Sequence, residues 1–201
     1  MNALGTLHQN LVFKRRTEVL ARGLAETIPP GATTVLDVGC GDGTIDALIQ
    51  RHRPELAITG VDVLVRPGAH IPVQAFNGTE LPFPDNAFDV VMFVDVLHNT
   101  DDPATLLREA WRVARTAVVL KDHTRESRRA DLTLRFMDWV GNAHHGVRLP
   151  YNYWPSLRWR DAFARIGLSA ETWRTDLGLY PFPASLLFER NLHFMARLGV
   201  R

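Results

Sequence analysis

Cysteine is almost missing from this chain of 201 residues. Cys40 stands alone, so no internal disulfide can form, and a reducing, cytoplasmic setting fits that usage. Long apolar runs are missing too: the longest, residues 90–97, is broken by Asp95 and falls far short of the roughly 20 residues that cross a bilayer. Polar His8, Gln9 and Asn10 stand where a secretory signal would need an unbroken apolar stretch, so no membrane partner is expected. Lysine is scarce, only Lys14 and Lys121, and the formal charge is +1, which gives no global attraction to nucleic acid. No repeat or low-complexity tract interrupts the chain.

What is present describes one ordinary globular domain over residues 1–201, with 46% hydrophobic and 22% charged residues and no need of metal or disulfide staples. One distribution is lopsided. Of 18 aromatic residues, 12 lie from Phe136 onward, so the closing third is built differently from the rest.

Apolar Phe13, Leu20, Leu24 and Ile28 recur at helical spacing before Pro29, Pro30 and Gly31, which predicts a leading helix within residues 1–30. Short β-branched or apolar runs follow at 33–38, 57–63, 71–76, 88–94 and 116–120, with helical stretches at 44–52 and from Asp101-Asp102-Pro103 to about 115. The run at 88–94 is nearly continuous in apolar residues, as a strand buried on both faces would be. Alternation of this kind predicts an α/β, doubly wound, mostly parallel sheet whose ligands bind beyond the carboxyl ends of the strands.

The first strand runs straight into Gly39-Cys40-Gly41-Asp42-Gly43 and then a helix. A dinucleotide site would need G-x-G-x-x-G, but the sixth position here is Thr44. Asp37, two residues before the first glycine, would repel a pyrophosphate and suits a cationic amino group instead. Asp62 ends the next strand, where a carboxylate can accept bonds from both ribose hydroxyls. One cation contact with one ribose contact describes S-adenosylmethionine better than a nicotinamide dinucleotide.

With these residues the chain resembles the class I S-adenosylmethionine-dependent methyltransferases, in particular the small-molecule "type 11" group. The resemblance rests on three blocks in order: residues 35–43, Gly60-Val61-Asp62, and residues 81–91 from Leu81-Pro82-Phe83-Pro84-Asp85 onward. It implies a Rossmann-like seven-stranded sheet with an antiparallel last strand. It also implies that Asp37 faces the methionine amino group, that Gly39, Cys40, Gly41, Asp42 and Gly43 wrap the cofactor with their backbone, and that Asp62 with Val63 holds the ribose. Asn77-Gly78 occupies the turn where the family often has an acid against the adenine amino group, and the Asn77 amide oxygen is expected to accept that bond. Asp95 and Val96 end the fourth strand, beside which the family places the sulfonium and the acceptor.

Acceptor chemistry needs alignment and, for a protonated nucleophile, a base. His98 and His123 follow the fourth and fifth strands and are candidate bases, though either could serve only as a hydrogen-bonding residue. Asp95, Asp122 and His123 could also hold a divalent cation, but no Asn follows the second acid as in metal-dependent catechol methyltransferases, so no metal is expected. Cys40 sits in the wrong place for a thiolate nucleophile, and no Asp/Asn-Pro-Pro-aromatic block follows the fourth strand, which argues against nucleic-acid amino methylation. The basic run that includes Arg108, Arg112, Lys121 and Arg125 reads first as a solvated face.

Leu132, Phe136, Trp139, Val140 and Ala143 recur as one helix face, and a polar, aromatic, proline-bounded segment follows with His144, His145, Tyr151, Tyr153 and Trp154. Residues 123–183 are therefore expected to supply substrate or lid elements, with His145 and Tyr151 as further catalytic candidates, set against the plainer reading that these aromatics cover the core. A helix at 155–166 and strands at 168–174 and 186–194 complete the prediction. Together these readings give methyl transfer to a small-molecule acceptor, O or C nucleophiles ahead of N. The alternatives are a non-catalytic S-adenosylmethionine-binding subunit and a different group transfer on the same fold.

Overall fold

The computed structural model of the chain describes residues 3–142, 150–189 and 191–200; His145, with the rest of 143–149, lies outside the described residues. Strand and helix alternate through α1 (Ala3–Thr27), β1 (Thr34–Val38), α2 (Thr44–His52), β2 (Ala57–Asp62), β3 (Val73–Ala75), β4 (Phe88–Val94), α3 (Pro103–Val113) and β5 (Ala114–His123). The closing part comprises α4 (Arg128–Asn142), α5 (Ser156–Arg165), β6 (Leu168–Arg174), α6 (Ser185–Phe188) and β7 (His193–Val200). The seven strands form one sheet in the order β3-β2-β1-β4-β5-β7-β6. The first five pair in parallel, and β7 inserts antiparallel between β5 and β6. The strand order reverses between β1 and β4, and a crevice opens at the carboxyl ends of neighbouring strands at such a point.

β4 shows why the sheet is buried on both faces. Val90 and Met92 pack with α1 and α2 residues such as Leu20, Leu24 and Ile49, whereas Val91 and Phe93 pack with Leu106, Leu107 and Trp159 on the other side. Alternation of side chains along a strand produces this split, and burial of each such side chain contributes roughly 1.5–3 kcal/mol. Helix starts follow the sequence closely. Asp102 accepts a hydrogen bond from the Ala104 amide at 3.0 Å with Pro103 in the first turn of α3, and Asp42 accepts one from the Thr44 amide at 3.0 Å ahead of α2.

The closing third departs from expectation in two places. The strand anticipated at 186–194 is replaced by the short helix α6, with Leu186 and Leu187 more than half exposed, and the last strand begins only at His193. On α4, Leu132, Phe136 and Trp139 point to solvent at 69%, 54% and 60% exposure, while Leu134 packs inward with Ala130 and Met137. That helix carries two apolar stripes, and periodicity alone selects the wrong one. The aromatic surplus mostly serves packing: Trp159, Phe163, Trp173 and Phe194 pack against one another beside β7, and Trp154 is buried with them.

Candidate functional site

At the end of β1 the chain turns through three glycines in the left-handed region, Gly39 at φ 78°, Gly41 at 62° and Gly43 at 73°. At Gly39 the requirement is double, because a Cβ there would lie 2.6 Å from Val96 Cγ2. Next to Gly41 only Arg66 comes within 4.0 Å, so that side of the turn is open. The turn's amides are already used: Gly39 donates to Val61 O at 2.7 Å, Gly41 to Asp62 Oδ2 at 2.8 Å and Gly43 to Cys40 O at 3.0 Å. The turn therefore offers room for close approach rather than a ring of free donors. Cys40 turns its sulfur inward over Gly60, and burial pushes its thiol up, which leaves it a packing residue.

Asp37 and Asp62 flank this turn. Asp37 is 2% exposed, and its Oδ1 has no hydrogen-bond partner. Burial first, then the charge of Asp46, holds its carboxyl well above the usual range. Such an atom suits a cationic ligand group. Asp62 accepts from Gly41 N and, at 2.9 Å, from Leu64 N, which orients both oxygens and leaves each a further lone pair. Val63, 66% exposed, borders Gly78, where a Cβ would lie 3.3 Å from Val63 Cγ1. Asn77 does not fit its expected part. Its Oδ1 accepts from Thr79 N, Thr79 Oγ1 and Glu80 N at 2.9, 3.1 and 2.8 Å, so that oxygen is consumed in its own turn.

The ends of β4, β5 and β7 carry a different construction, a buried network of charges. Asp95, at φ 58°, meets Arg16 of α1 at 3.0 Å and the Lys121 ammonium. Lys121 is fully buried, not part of a solvated face, and its Nζ lies 3.4 Å from His193 Nδ1. Burial works against an ionised Asp95, yet the Lys121 and Arg16 charges outweigh it and hold the carboxyl well below its usual range. His98 lies in a short 3₁₀ turn (Leu97–Asn99) with Nδ1 2.7 Å from Asp122 and Nε2 3.3 Å from Asp138. Burial opposes its charge, but Asp122 and Asp138 prevail and raise it to about 10. A ring so held is an imidazolium clamp, with no lone pair for a substrate proton. His123 is the contrasting case. Burial and the Lys121 charge lower its pKa despite Asp95 and Asp122, so it stands neutral at physiological pH.

The segment after residue 149 covers this edge. Asn152 N donates to His98 O at 3.0 Å, Trp154 bridges to Thr124, and Trp159 Nε1 donates to His123 O at 3.0 Å. Tyr153 stacks on His98 at 5.4 Å and donates its hydroxyl to Asp138. Tyr151 sits at φ 52° beneath the Arg135 guanidinium, half-buried beside this group. Arg16, Asp138 and His193 were not singled out by sequence, Lys121 was read as part of a solvated basic run, and Tyr153 only as one aromatic of its segment; they converge from separate elements, and no local spacing marks their meeting.

One ligand atom from each of Asp95, His98, Asp122 and His123 falls within 4.8 Å of the others, a spacing a metal ion could use. The donors are already committed, however. Asp95 is neutralised by Lys121 and Arg16, and Asp122 accepts from Leu97 N at 3.0 Å, His123 N at 2.7 Å and the His98 ring. A dication would have to displace these protons. Two concavities of about 480 and 610 Å³ run along α1, bordered by residues such as Arg22 and Glu26, and neither includes a residue of the strand ends described above.

This sheet order, with a glycine turn after β1, is that of the class I S-adenosylmethionine-dependent methyltransferases. Residues 12–172 match a family model described as a methyltransferase domain, and the chain belongs to that family. It is 34% identical over 122 residues to a ubiquinone/menaquinone biosynthesis C-methyltransferase UbiE from Desulfotalea psychrophila, covering 56% of this chain and 47% of that protein. It is 30% identical over 149 residues to a demethylmenaquinone methyltransferase from Roseiflexus castenholzii, covering 70% of this chain and 60% of that protein. The chain thus spans about half the length of these curated relatives. Among solved structures, geranyl diphosphate C-methyltransferase from Streptomyces coelicolor A3(2) shares the fold, with TM-score 0.69, 16% identity, and coverage of 92% of this chain and 80% of that one.

Proposed function

We propose that this chain transfers a methyl group from S-adenosylmethionine to a small-molecule acceptor with an O or C nucleophile, the best-supported class being a hydroxylated ring of the reduced-quinone type. The carrying observation is the buried, unpartnered Asp37 Oδ1 beside a left-handed glycine turn that is open at Gly41 and whose Gly41 amide orients Asp62. Asp37 would hold the amino group, the turn would admit the ligand closely, and Asp62 with Val63 would hold the ribose. Bound there, S-adenosylmethionine supplies a methyl already activated on a sulfonium. The ring class is favoured by the quinone methylations named for the relatives and by the aromatic surroundings of His98 and His123.

His123 is assigned the proton acceptor, since a neutral imidazole can take a hydroxyl proton and unmask oxygen or ring carbon as the nucleophile. His98 is a positioning residue, fixing Asp122 and, through it, the His123 backbone. Tyr151 lines the acceptor side. The test couples isothermal titration with S-adenosylhomocysteine to mass spectrometry of reduced demethylated naphthoquinone incubated with trideuteromethyl-labelled S-adenosylmethionine. Wild type binds and adds a labelled methyl, Asp62→Ala binds at least about tenfold more weakly, and His123→Gln keeps affinity while turnover falls about 10²-fold or more. Absence of binding overturns the reading. Binding without turnover on any phenolic or quinol acceptor supports the non-catalytic alternative.

A further inference from the structure

One buried acid has no part in the site as described so far. Asp46, in the first turn of α2, is fully buried, and neither carboxylate oxygen has a hydrogen-bond partner. It lies one helical turn before buried Ile49, on the face that joins the same core cluster as Val35 of β1. Asp37 shares its side of β1 with Val35, which packs in the same cluster as Ile49, and the two carboxyl groups meet. Two ionised carboxylates can only accept, so a face-to-face pair without a donor is held either by a shared proton or by a cation. The charged groups acting on the pair from elsewhere are again acids, Asp62 of β2 on Asp37 and Asp42 of the turn on Asp46, whereas Arg66 and His70 act on Asp42.

We propose that Asp46 is a second carboxylate of the ammonium site, that it shares one proton with Asp37 in the free protein, and that an amino-acid ligand's ammonium displaces that proton into solvent. The proposal rests on the S-adenosylmethionine reading and extends it to a residue outside the glycine motif. The exchange balances: the pair loses H⁺ and gains the ligand's NH₃⁺ as hydrogen-bond donor, so the buried net charge stays at one negative while two donor-less carboxylates gain three N–H groups. Burial raises both carboxyls, Asp46 to about 6, so the exchange is felt near neutral pH. A released proton makes binding tighter as pH rises, up to the point where the free pair is already fully ionised.

The experiment is calorimetric titration of the full chain with S-adenosylhomocysteine in buffers of different ionisation enthalpy, from about pH 6 to about pH 8. 5′-Methylthioadenosine, which lacks the amino-acid group, is the control ligand. The expected result is release of about half a proton or more per S-adenosylhomocysteine at pH 6, none with methylthioadenosine, and affinity at least about twofold weaker at pH 6 than at pH 8. In Asp46→Asn both the release and the pH dependence disappear. A merely structural pair would keep its proton when liganded, so absence of release in wild type overturns the proposal. Equal release with methylthioadenosine, or unchanged release in Asp46→Asn, overturns it as well. If S-adenosylhomocysteine fails to bind at all, the cofactor reading falls with it, whereas binding without release removes only this proposal. Should Asp46→Asn not fold, Asp46→Ser replaces it, and the two-ligand comparison on wild type decides without any variant.

Discussion

The two halves of the sheet's carboxyl edge are built by opposite means. At β1 and β2 the site is mostly backbone: three left-handed glycines and few side chains, nearly all within residues 37–63. At β4, β5 and β7 it is almost all side chain, a buried set of charges drawn from α1, β4, β5, α4, the segment around Tyr153 and β7. Geometry made by a contiguous turn tolerates little substitution but needs no distant partner. Geometry made by converging ions depends on the whole domain closing correctly, since each buried charge is stable only with its partner in place.

The largest effect expected from that contrast lies on the charged side. Asp122→Ala removes the acceptor of Leu97 N, His123 N and the His98 ring together, and urea unfolding should report a loss of about 3–5 kcal/mol. If the loss is below about 1 kcal/mol, the network is not holding the edge together. On the backbone side, Gly39→Ala places a Cβ against Val96 in a left-handed turn and should cost roughly 1–3 kcal/mol in the same assay while abolishing S-adenosylhomocysteine binding. Retained affinity would make the turn a simple connector.

The charged side should also respond to alkali. His98 is raised from 6.5 to about 10, so its contribution to stability is complete below the unfolded value near 6.5 and is lost as pH rises through about 10. Tm measured from pH 7 to 10 should therefore fall more steeply in wild type than in His98→Gln, and parallel slopes would detach the effect from this ring. The smallest effect belongs to neither half. Trp139→Ser, on the exposed stripe of α4, should change stability by no more than about 0.5 kcal/mol despite removing an indole.

This division also explains what could be read from sequence. The β1 turn, Asp37 and Asp62 were legible because spacing within a short segment determines them, and α2 and β6 were bounded correctly for the same reason. β5 begins at Ala114, directly after α3 ends at Val113, so no loop residue marks the change and its start was placed late. Leu186 and Leu187 look strand-like in composition, but tertiary pairing gave the place between β5 and β6 to His193–Val200. The His98 and His123 positions were visible, but their opposite protonation was not, because Asp122 and Asp138 reach His98 only across the fold, while His123 feels Lys121 through the burial of both. Asp46 was open to discovery: an acid one helical turn before Ile49, on the apolar stripe of a helix, breaks the pattern where it should be strictest.

The insertion of β7 between β5 and β6 imposes an order on how the molecule is made. β6 leaves the ribosome before β7, yet among the described residues β7 is its only partner in the sheet, so the pairing of Leu168–Arg174 waits until His193–Val200 emerges. The β1–β2 half, whose strands follow one another closely in sequence, can assemble earlier, while the non-local half waits. His193 reaches Lys121 only with that final strand, so the nascent domain acquires its glycine turn first and the charged side of its carboxyl edge last.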